Sequence, residues 1–423
     1  MSEGVDTVGL DTPPRLAVDR LLDDRETRII VCCGAGGVGK TTTAAALGVR
    51  AAARGRKAVV LTIDPARRLA QSMGIDSLDN TPRRVRTAGG DGGGELHAMM
   101  LDMKRTFDEI VEAHADGERA RAILANPFYQ SLSAGFAGTQ EYMAMEKLGQ
   151  LRARDDWDLI IVDTPPSRSA LDFLDAPKRL GSFLDGKFIR VLMAPAKVGG
   201  RAGMKFLNVG MSMMTGTLSK LMGASLLKDV QTFVAAMDTM FGGFRTRADA
   251  TFRLLQAPGT AFLVVAAPEP DALREAAYFV ERLAAERMPL AGLVLNRVHA
   301  SGADQLSAER ALAAAENLEE GGIVDQESGK AGLRDTAAEP PGADDDTAPD
   351  DITAVDRITA GLLRLHAERM QVIAREQRTR DRFTSLHPEV AVAEVAALPG
   401  DVHDLAGLRA IGERLAAGVP AGA

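Results

Sequence analysis

Apolar runs alternate along this chain with longer stretches of helical, amphipathic character. The runs are Arg28-IIVCC, Lys57-AVVLTID, Leu96 to Leu101, Trp157-DLIIVDT, Ala261-FLVVAAP, Leu290-AGLVLNRV and Glu389-VAVAEVAAL. Their length and their Val, Ile and Leu content predict buried strands. Helices are predicted over Thr41 to Arg54, from Leu101 to about Arg154, and over Pro270 to Arg287, Ile352 to Arg382 and Leu405 to Leu415, with a short amphipathic one over Pro14 to Asp24. Strands alternating with helices predict an α/β fold, a doubly wound and mainly parallel sheet covered on both faces. Such a sheet takes its ligand beyond the carboxyl ends of its strands.

Two stretches break the alternation. Residues 181–250 are rich in Met, Gly and Phe and are read as a helical subdomain inserted into the domain. Residues 316–351, ending EPPGADDDTAPDD, are acidic, rich in Pro and Gly and poor in aromatics, the composition of a disordered loop. No internal repeat and no second phosphate loop is found. The expected organisation is an N-terminal tail and short helix over residues 1–26, then one domain over 27–423.

Composition narrows the class. With 46% hydrophobic and 26% charged residues the chain reads as soluble and globular. A formal net charge of -8 argues against a nucleic-acid partner, which would select a basic face. The N-terminus lacks an apolar signal core, and no apolar run approaches the ~18 residues of a transmembrane helix, so a cytoplasmic location is expected. The two cysteines, Cys32 and Cys33, are adjacent on a strand and point to opposite faces, which disfavours a disulfide between them. There is no CxxC pair for zinc and no cysteine triad for a soft metalloid. Abundant Ala, and Arg in excess of Lys, suit a GC-rich bacterial genome.

The chemistry sits at strand ends. Gly34-AGGVGKT fits GxxxxGK[ST], between a strand and a helix. In that pattern the backbone N–H groups of Gly34, Ala35, Gly36, Gly37, Val38 and Gly39 wrap the phosphates of a nucleotide, and the helix opening at Lys40, Thr41 and Thr42 presents its positive end to them. Lys40 would neutralise the terminal phosphates, and the Thr41 hydroxyl would ligate Mg²⁺. Asp163 ends the strand LIIVD, where a carboxylate can hold magnesium-bound water or simply cap a helix. Asp64 ends another strand, either as part of an Asp–Pro turn or as a base that orients the attacking water.

Three segments together, GAGGVGKTT, TIDPA at Thr62 to Ala66 and DTPPSRSALDFL at Asp163 to Leu174, resemble the arsenite-pump and tail-anchored-protein-targeting ATPase family of deviant phosphate-loop NTPases. GTQE at Gly138 to Glu141, AAPEP at Ala266 to Pro270, LNRV at Leu295 to Val298 and ALPGDVHDLAGL at Ala397 to Leu408 are similar to further family segments. The resemblance implies ATP and Mg²⁺ as cofactors, Asp64 in switch I as the water-positioning base and Asp163 at the opening of switch II. It also implies that Asn296 reads the adenine edge and that Pro399 lies in the loop closing over the base.

The chain departs from that family at one catalytic position. The signature lysine, which reaches across a dimer to the partner's phosphates, is Ala35 here. The metalloid-binding cysteines are absent, which speaks against arsenite activation. Arg168 in switch II is read as a surface arginine. The Met-rich stretch leaves two readings open, a groove for a client's hydrophobic helix or an ordinary helical subdomain. The expected function is Mg²⁺-dependent ATP hydrolysis coupled to a dimer switch. Ala35 points to a heterodimer with a paralogue that keeps the lysine, and to weak activity in isolation. The rival readings are a non-hydrolysing regulatory subunit and a partition or cell-pole positioning ATPase. The chain ends RLAAGVPAGA, without the basic or amphipathic membrane tail usual in positioning ATPases.

Overall fold

The computed structural model describes residues 14–64, 68–86, 93–133, 139–165, 246–327 and 349–417. Its centre is an eight-stranded sheet of β1 (Ile29–Cys33), β2 (Lys57–Thr62), β3 (Arg83–Arg84), β4 (Glu95–Met100), β5 (Leu159–Asp163), β6 (Thr260–Ala266), β7 (Leu290–Val298) and β8 (Val392–Ala396). The spatial order is β3-β4-β2-β5-β1-β6-β7-β8. Every pairing is parallel except that of β3 with β4. β1 and β5 are buried at every position, as strands covered on both faces must be. From β1 the chain crosses to β2 and β4 on one side, returns to β5 between β2 and β1, and then runs outward through β6, β7 and β8 on the other, so the carboxyl ends of β1, β2, β5 and β6 share one edge beside the switch in strand order.

The helices are α1 (Val18–Asp23), α2 (Lys40–Ala53), α3 (Arg68–Ser72), α4 (Met103–His114), α5 (Gly117–Leu124), α6 (Pro127–Ser133), α7 (Thr139–Arg154), α8 (Pro270–Ala285), α9 (Ala308–Glu327), α10 (Pro349–Leu386) and α11 (Leu405–Ala417). Residues 246–256 are also helical. α2 lies between the sheet and α11, and its small residues make that layer thin. Ala44, Ala45, Ala46, Ala51 and Ala52 are fully buried. A Cβ on Gly48 would stand 2.7 Å from Val60 Cγ2. The opposite face of the sheet carries the larger core, which includes Phe107, Tyr142, Phe262 and Phe279.

The elements follow the hydrophobic pattern closely, with differences at the edges. The long helical stretch before Arg154 is divided into α4 to α7. Asp102 and Asp116 cap α4 and α5, each accepting a hydrogen bond from the backbone N–H three residues on. Helix was expected from Pro14, but residues 14–16 are extended and join the sheet edge, with Leu16 N–H donating to Val392 O and Val392 N–H to Pro14 O. The free edge of β8 offers those groups, and the prolines at 13 and 14 disfavour helix. Leu16, Val18 and Leu22 are buried, so the boundary expected at residue 26 does not separate a tail from the domain. The acidic stretch expected as a loop from Glu316 is helical as far as Glu327, and helix resumes at Pro349. The rest of that loop and most of the Met-rich stretch lie outside the described residues.

One buried cation ties the N-terminal segment to the sheet. Arg56 is 1% exposed. Its two terminal nitrogens donate to the carbonyls of Leu22, Asp24, Thr27 and Asp158 at 2.7–2.9 Å. It therefore joins the end of α1, the approach to β1 and the approach to β5. Arg56→Met keeps the volume and removes all four donations. We expect a loss of roughly 3 kcal/mol or more, since each buried carbonyl left unmatched costs about 1–3 kcal/mol. Urea denaturation measures it, and a loss below about 1 kcal/mol would show that water replaces the guanidinium.

Candidate functional site

The turn out of β1 is possible only because of its glycines. At Gly34 (φ +147°) a Cβ would lie 2.0 Å from Val265 O, so nothing larger fits between the loop and β6. Gly39 (φ +96°) is the left-handed N-cap of α2, and a Cβ there would meet Asn296 Nδ2 at 2.3 Å. Gly36 and Gly37 form the exposed tip, and Val38 turns back into the core. Thr41 and Thr42 are half-buried on the first turn of α2.

Lys40 is buried, and its Nζ donates to Ala35 O at 2.7 Å. The ammonium is thus held inside the loop by a neutral acceptor. Burial lowers its proton affinity, and the negative charges of Asp163, Asp64 and Glu275 work the other way. Ala35 is itself buried.

Asp163 is the centre of the cluster. Parallel register sets it level with Thr62 on β2 and Cys32 on β1. Its Oδ2 accepts hydrogen bonds from Thr41 Oγ1 at 2.7 Å and Thr62 Oγ1 at 2.8 Å. Its Oδ1 is buried and has no hydrogen-bond partner among the described residues. Burial pushes the carboxyl up to about 6, against the opposing pull of the two hydroxyls and of Lys40.

Asp64 stands just past the end of β2, half-buried, with its N–H on Thr62 Oγ1 at 3.2 Å. Its charge acts on both Lys40 and Asp163. Asn296 is buried at the end of β7, and its Nδ2 donates to Val38 O at 2.8 Å. That N–H is engaged in bracing the loop. Pro399 is exposed between β8 and α11.

Lys40, Thr41, Asp64 and Asp163 are therefore brought together, Asn296 is set against the loop, and Pro399 lies beyond the next strand. Two participants were not read from the sequence. Thr62 shares Asp163 with Thr41, and Gln140 donates to Ile63 O at 2.9 Å beside Asp64. Thr62 had a signal in its place as the last strand residue before Asp64. Gln140 lay in the GTQE segment without an assigned role.

The cluster offers hard oxygen donors in Thr41 and Asp163 and a cation in Lys40, with one carboxylate oxygen still unmatched. That donor set suits Mg²⁺ beside a phosphate. Fold and loop together define the class, an α/β phosphate-loop NTPase fold. The chain belongs to the anion-transporting ATPase family, whose profile matches residues 27–320. An ATPase GET3 from Podospora anserina is 26% identical over 281 residues, 66% of this chain and 75% of its own length. An ATPase GET3 from Malassezia globosa is 30% identical over 174 residues, 41% of this chain and 49% of its own. A putative arsenical pump-driving ATPase from Halobacterium salinarum is 29% identical over 205 residues. The match thus spans about half the length of the Malassezia relative and 31% of the Halobacterium one. Among the described residues no helix is long and apolar enough to cross a membrane.

The buried carboxyl predicts a pH dependence. Asp163 holds its proton to about 6 in the folded state, against 3.8 for a free carboxyl. The folded state therefore binds the proton more tightly, and this group lowers stability as pH rises from about 4 to about 6, then leaves it level. Asp163→Asn keeps an acceptor for both hydroxyls and removes the charge. The nucleotide-free variant should melt higher than the parent at pH 7.5 and alike at pH 4.5. Equal melting temperatures at pH 7.5 would mean that the carboxylate is solvated in solution.

Proposed function

We propose that the chain binds ATP with Mg²⁺ at this loop and hydrolyses it. The observation that carries the reading is Asp163, fully buried and bridging Thr41 to Thr62 while its second oxygen is unmatched. A carboxylate so placed is costly for a structural role alone, since burial already raises its proton affinity.

Lys40 exchanges the Ala35 carbonyl for phosphate oxygens, a stronger partner for a desolvated ammonium. Thr41 and Asp163 hold the cation, directly or through water, and Thr62 keeps the carboxylate aimed. Mg²⁺, when bound, supplies positive charge that offsets the charge of the phosphates. Asp64 orients the attacking water or takes its proton, and Gln140 steadies the segment that carries it. Asn296 maintains the loop's shape through Val38, a role compatible with a place beside the base. Membership of the ATPase family and the intact loop support this reading.

Regulation is part of the proposal. Nucleotide state drives a dimer switch, and the second subunit is a paralogue that still carries the signature lysine. Support comes from Ala35, which leaves one site of any such pair without a cation from its partner while this chain keeps Lys40, Thr41, Asp64 and Asp163. A hydrophobic protein client suits the GET3-named relatives and the Met-rich composition of residues 181–250.

Calorimetry with MgATP tests the site: Lys40→Ala should lose tight binding while the chain stays folded. Unchanged affinity would sink the phosphate-loop assignment. Asp64→Asn should bind normally and turn over on the order of 10²-fold more slowly, as for a lost general base. Normal turnover would remove Asp64 from the chemistry. For the missing lysine, turnover should be weak alone and rise on mixing with a lysine-bearing paralogue, by up to roughly 10³-fold by analogy with arginine fingers. Ala35→Lys should restore part of that rise in the isolated chain. Fast turnover by the unmixed parent would make Ala35 a neutral substitution.

A further inference from the structure

Residues 62–64 leave the sheet at the centre of the site, and the partners of their backbone groups differ in kind. Thr62 O still accepts a ladder bond from Leu101 N–H at 2.9 Å, and Ile63 N–H donates to Asp163 O at 3.0 Å. Ile63 O is taken by Gln140 Nε2 from α7. Asp64 N–H is the first of these groups held by a side chain of its own strand: it donates to the Thr62 hydroxyl at 3.2 Å. Thr62 is 1% exposed, so bulk water does not reach that contact.

The same hydroxyl serves the other carboxylate. It carries one proton and two lone pairs. The proton goes to Asp163 Oδ2 at 2.8 Å, since the competing acceptor, Asp64 O, lies at 3.4 Å. A lone pair is then left for Asp64 N–H. Donation to a buried carboxylate polarises the hydroxyl and makes its oxygen a better acceptor. The hold on Asp64 N–H therefore depends on how Asp163 Oδ2 is engaged. Branching at Cβ leaves Thr few χ1 positions, which keeps the hydroxyl between the two acids.

We propose that Thr62 is a positioning residue for hydrolysis, its one hydroxyl setting Asp64 in place relative to Asp163, a role that rests on the ATP-hydrolysing reading above. A threonine that merely closed the strand would need only the local contact to the N–H two residues on, as in an ordinary turn. This one also reaches across to β5, at the oxygen on which Thr41 converges. Nor does the strand need it for support, because Asp163 O and Gln140 already hold both backbone groups of Ile63. What the hydroxyl adds is the placement of Asp64. Asp163 would keep the donation from Thr41 without it, so the cation side of the site does not rest on Thr62 alone.

Thr62→Val keeps the branched shape and removes the hydroxyl. In the nucleotide-free full chain, amide exchange at Asp64 should quicken by on the order of 10-fold as its acceptor is lost, and Thr62→Ser should exchange like the parent. With MgATP, calorimetry should give Thr62→Val an affinity within about threefold of the parent, since an interaction made through Asp64 acts on turnover rather than binding. Turnover should fall on the order of 10²-fold, as for a lost general base, and Thr62→Ser should keep most of it. A double-mutant cycle then separates a role through Asp64 from an independent one. Thr62→Val/Asp64→Asn should be no slower than Asp64→Asn alone, whereas independent effects would multiply. If Thr62→Val melts far below the parent, Thr62→Ala removes the same hydroxyl and carries the same cycle. Multiplying losses, normal turnover without the hydroxyl, or unchanged exchange at Asp64 would each overturn the positioning role and leave ATP hydrolysis standing. A parent chain that turns over no ATP would overturn the ATP-hydrolysing reading and the positioning role together.

Discussion

A carboxylate with no water around it must be matched by donors, and the architecture of the site follows from that demand at Asp163. Three neighbouring parallel strands end level there, so Thr62 arrives from one side and the phosphate loop leaves β1 on the other. Thr41 reaches the same oxygen from the first turn of α2. The loop, the helix that follows it and the segment carrying Asp64 are thereby tied to a single atom. A change in what the second oxygen binds is felt by all three.

That tie holds only because the loop is kept in place from behind. Gly34 lets the chain pass against β6, and Asn296 grips Val38 from β7. The alanines of α2 let the helix lie close to the sheet, so its first turn meets the strand ends at bonding distance. Larger side chains would lift α2 and carry Thr41 away from Asp163. Arg56 does comparable work at the far edge, where it gathers carbonyls that lead into β1 and β5. The rigid parts are thus small residues and one buried cation. The charges at the site, Lys40, Asp64 and Asp163, sit within that frame.

The molecule offers its two most distinctive surfaces on different elements. The nucleotide loop sits at the carboxyl edge of the sheet, whereas the exposed apolar side chains Val355, Ile358, Leu362 and Leu365 lie along α10, a helix that enters the main core near its carboxyl end at Phe383. α9 covers one side of that helix, which makes it rigid enough to present a row of side chains.

Sequence alone determined the sheet, the phosphate loop and the pair Lys40–Thr41, because these are written in local patterns: apolar runs, glycine spacing and the residue that opens a helix. It also singled out Asp64 and Asp163 as strand-ending carboxylates, though not what they touch. Other features depended on register and packing between distant segments. Thr62 became part of the site because β2 and β5 end level, and Gln140 because α7 packs beside Ile63. Asn296 proved to brace the loop because β7 brings its amide within hydrogen-bonding distance of Val38 O, a residue far away in sequence. The helical pattern of α10 was legible in its charges and apolar residues, but which side faces α9 was not. Periodicity gives a helix its stripes, and only the neighbours that cover one of them decide which is core and which is left open.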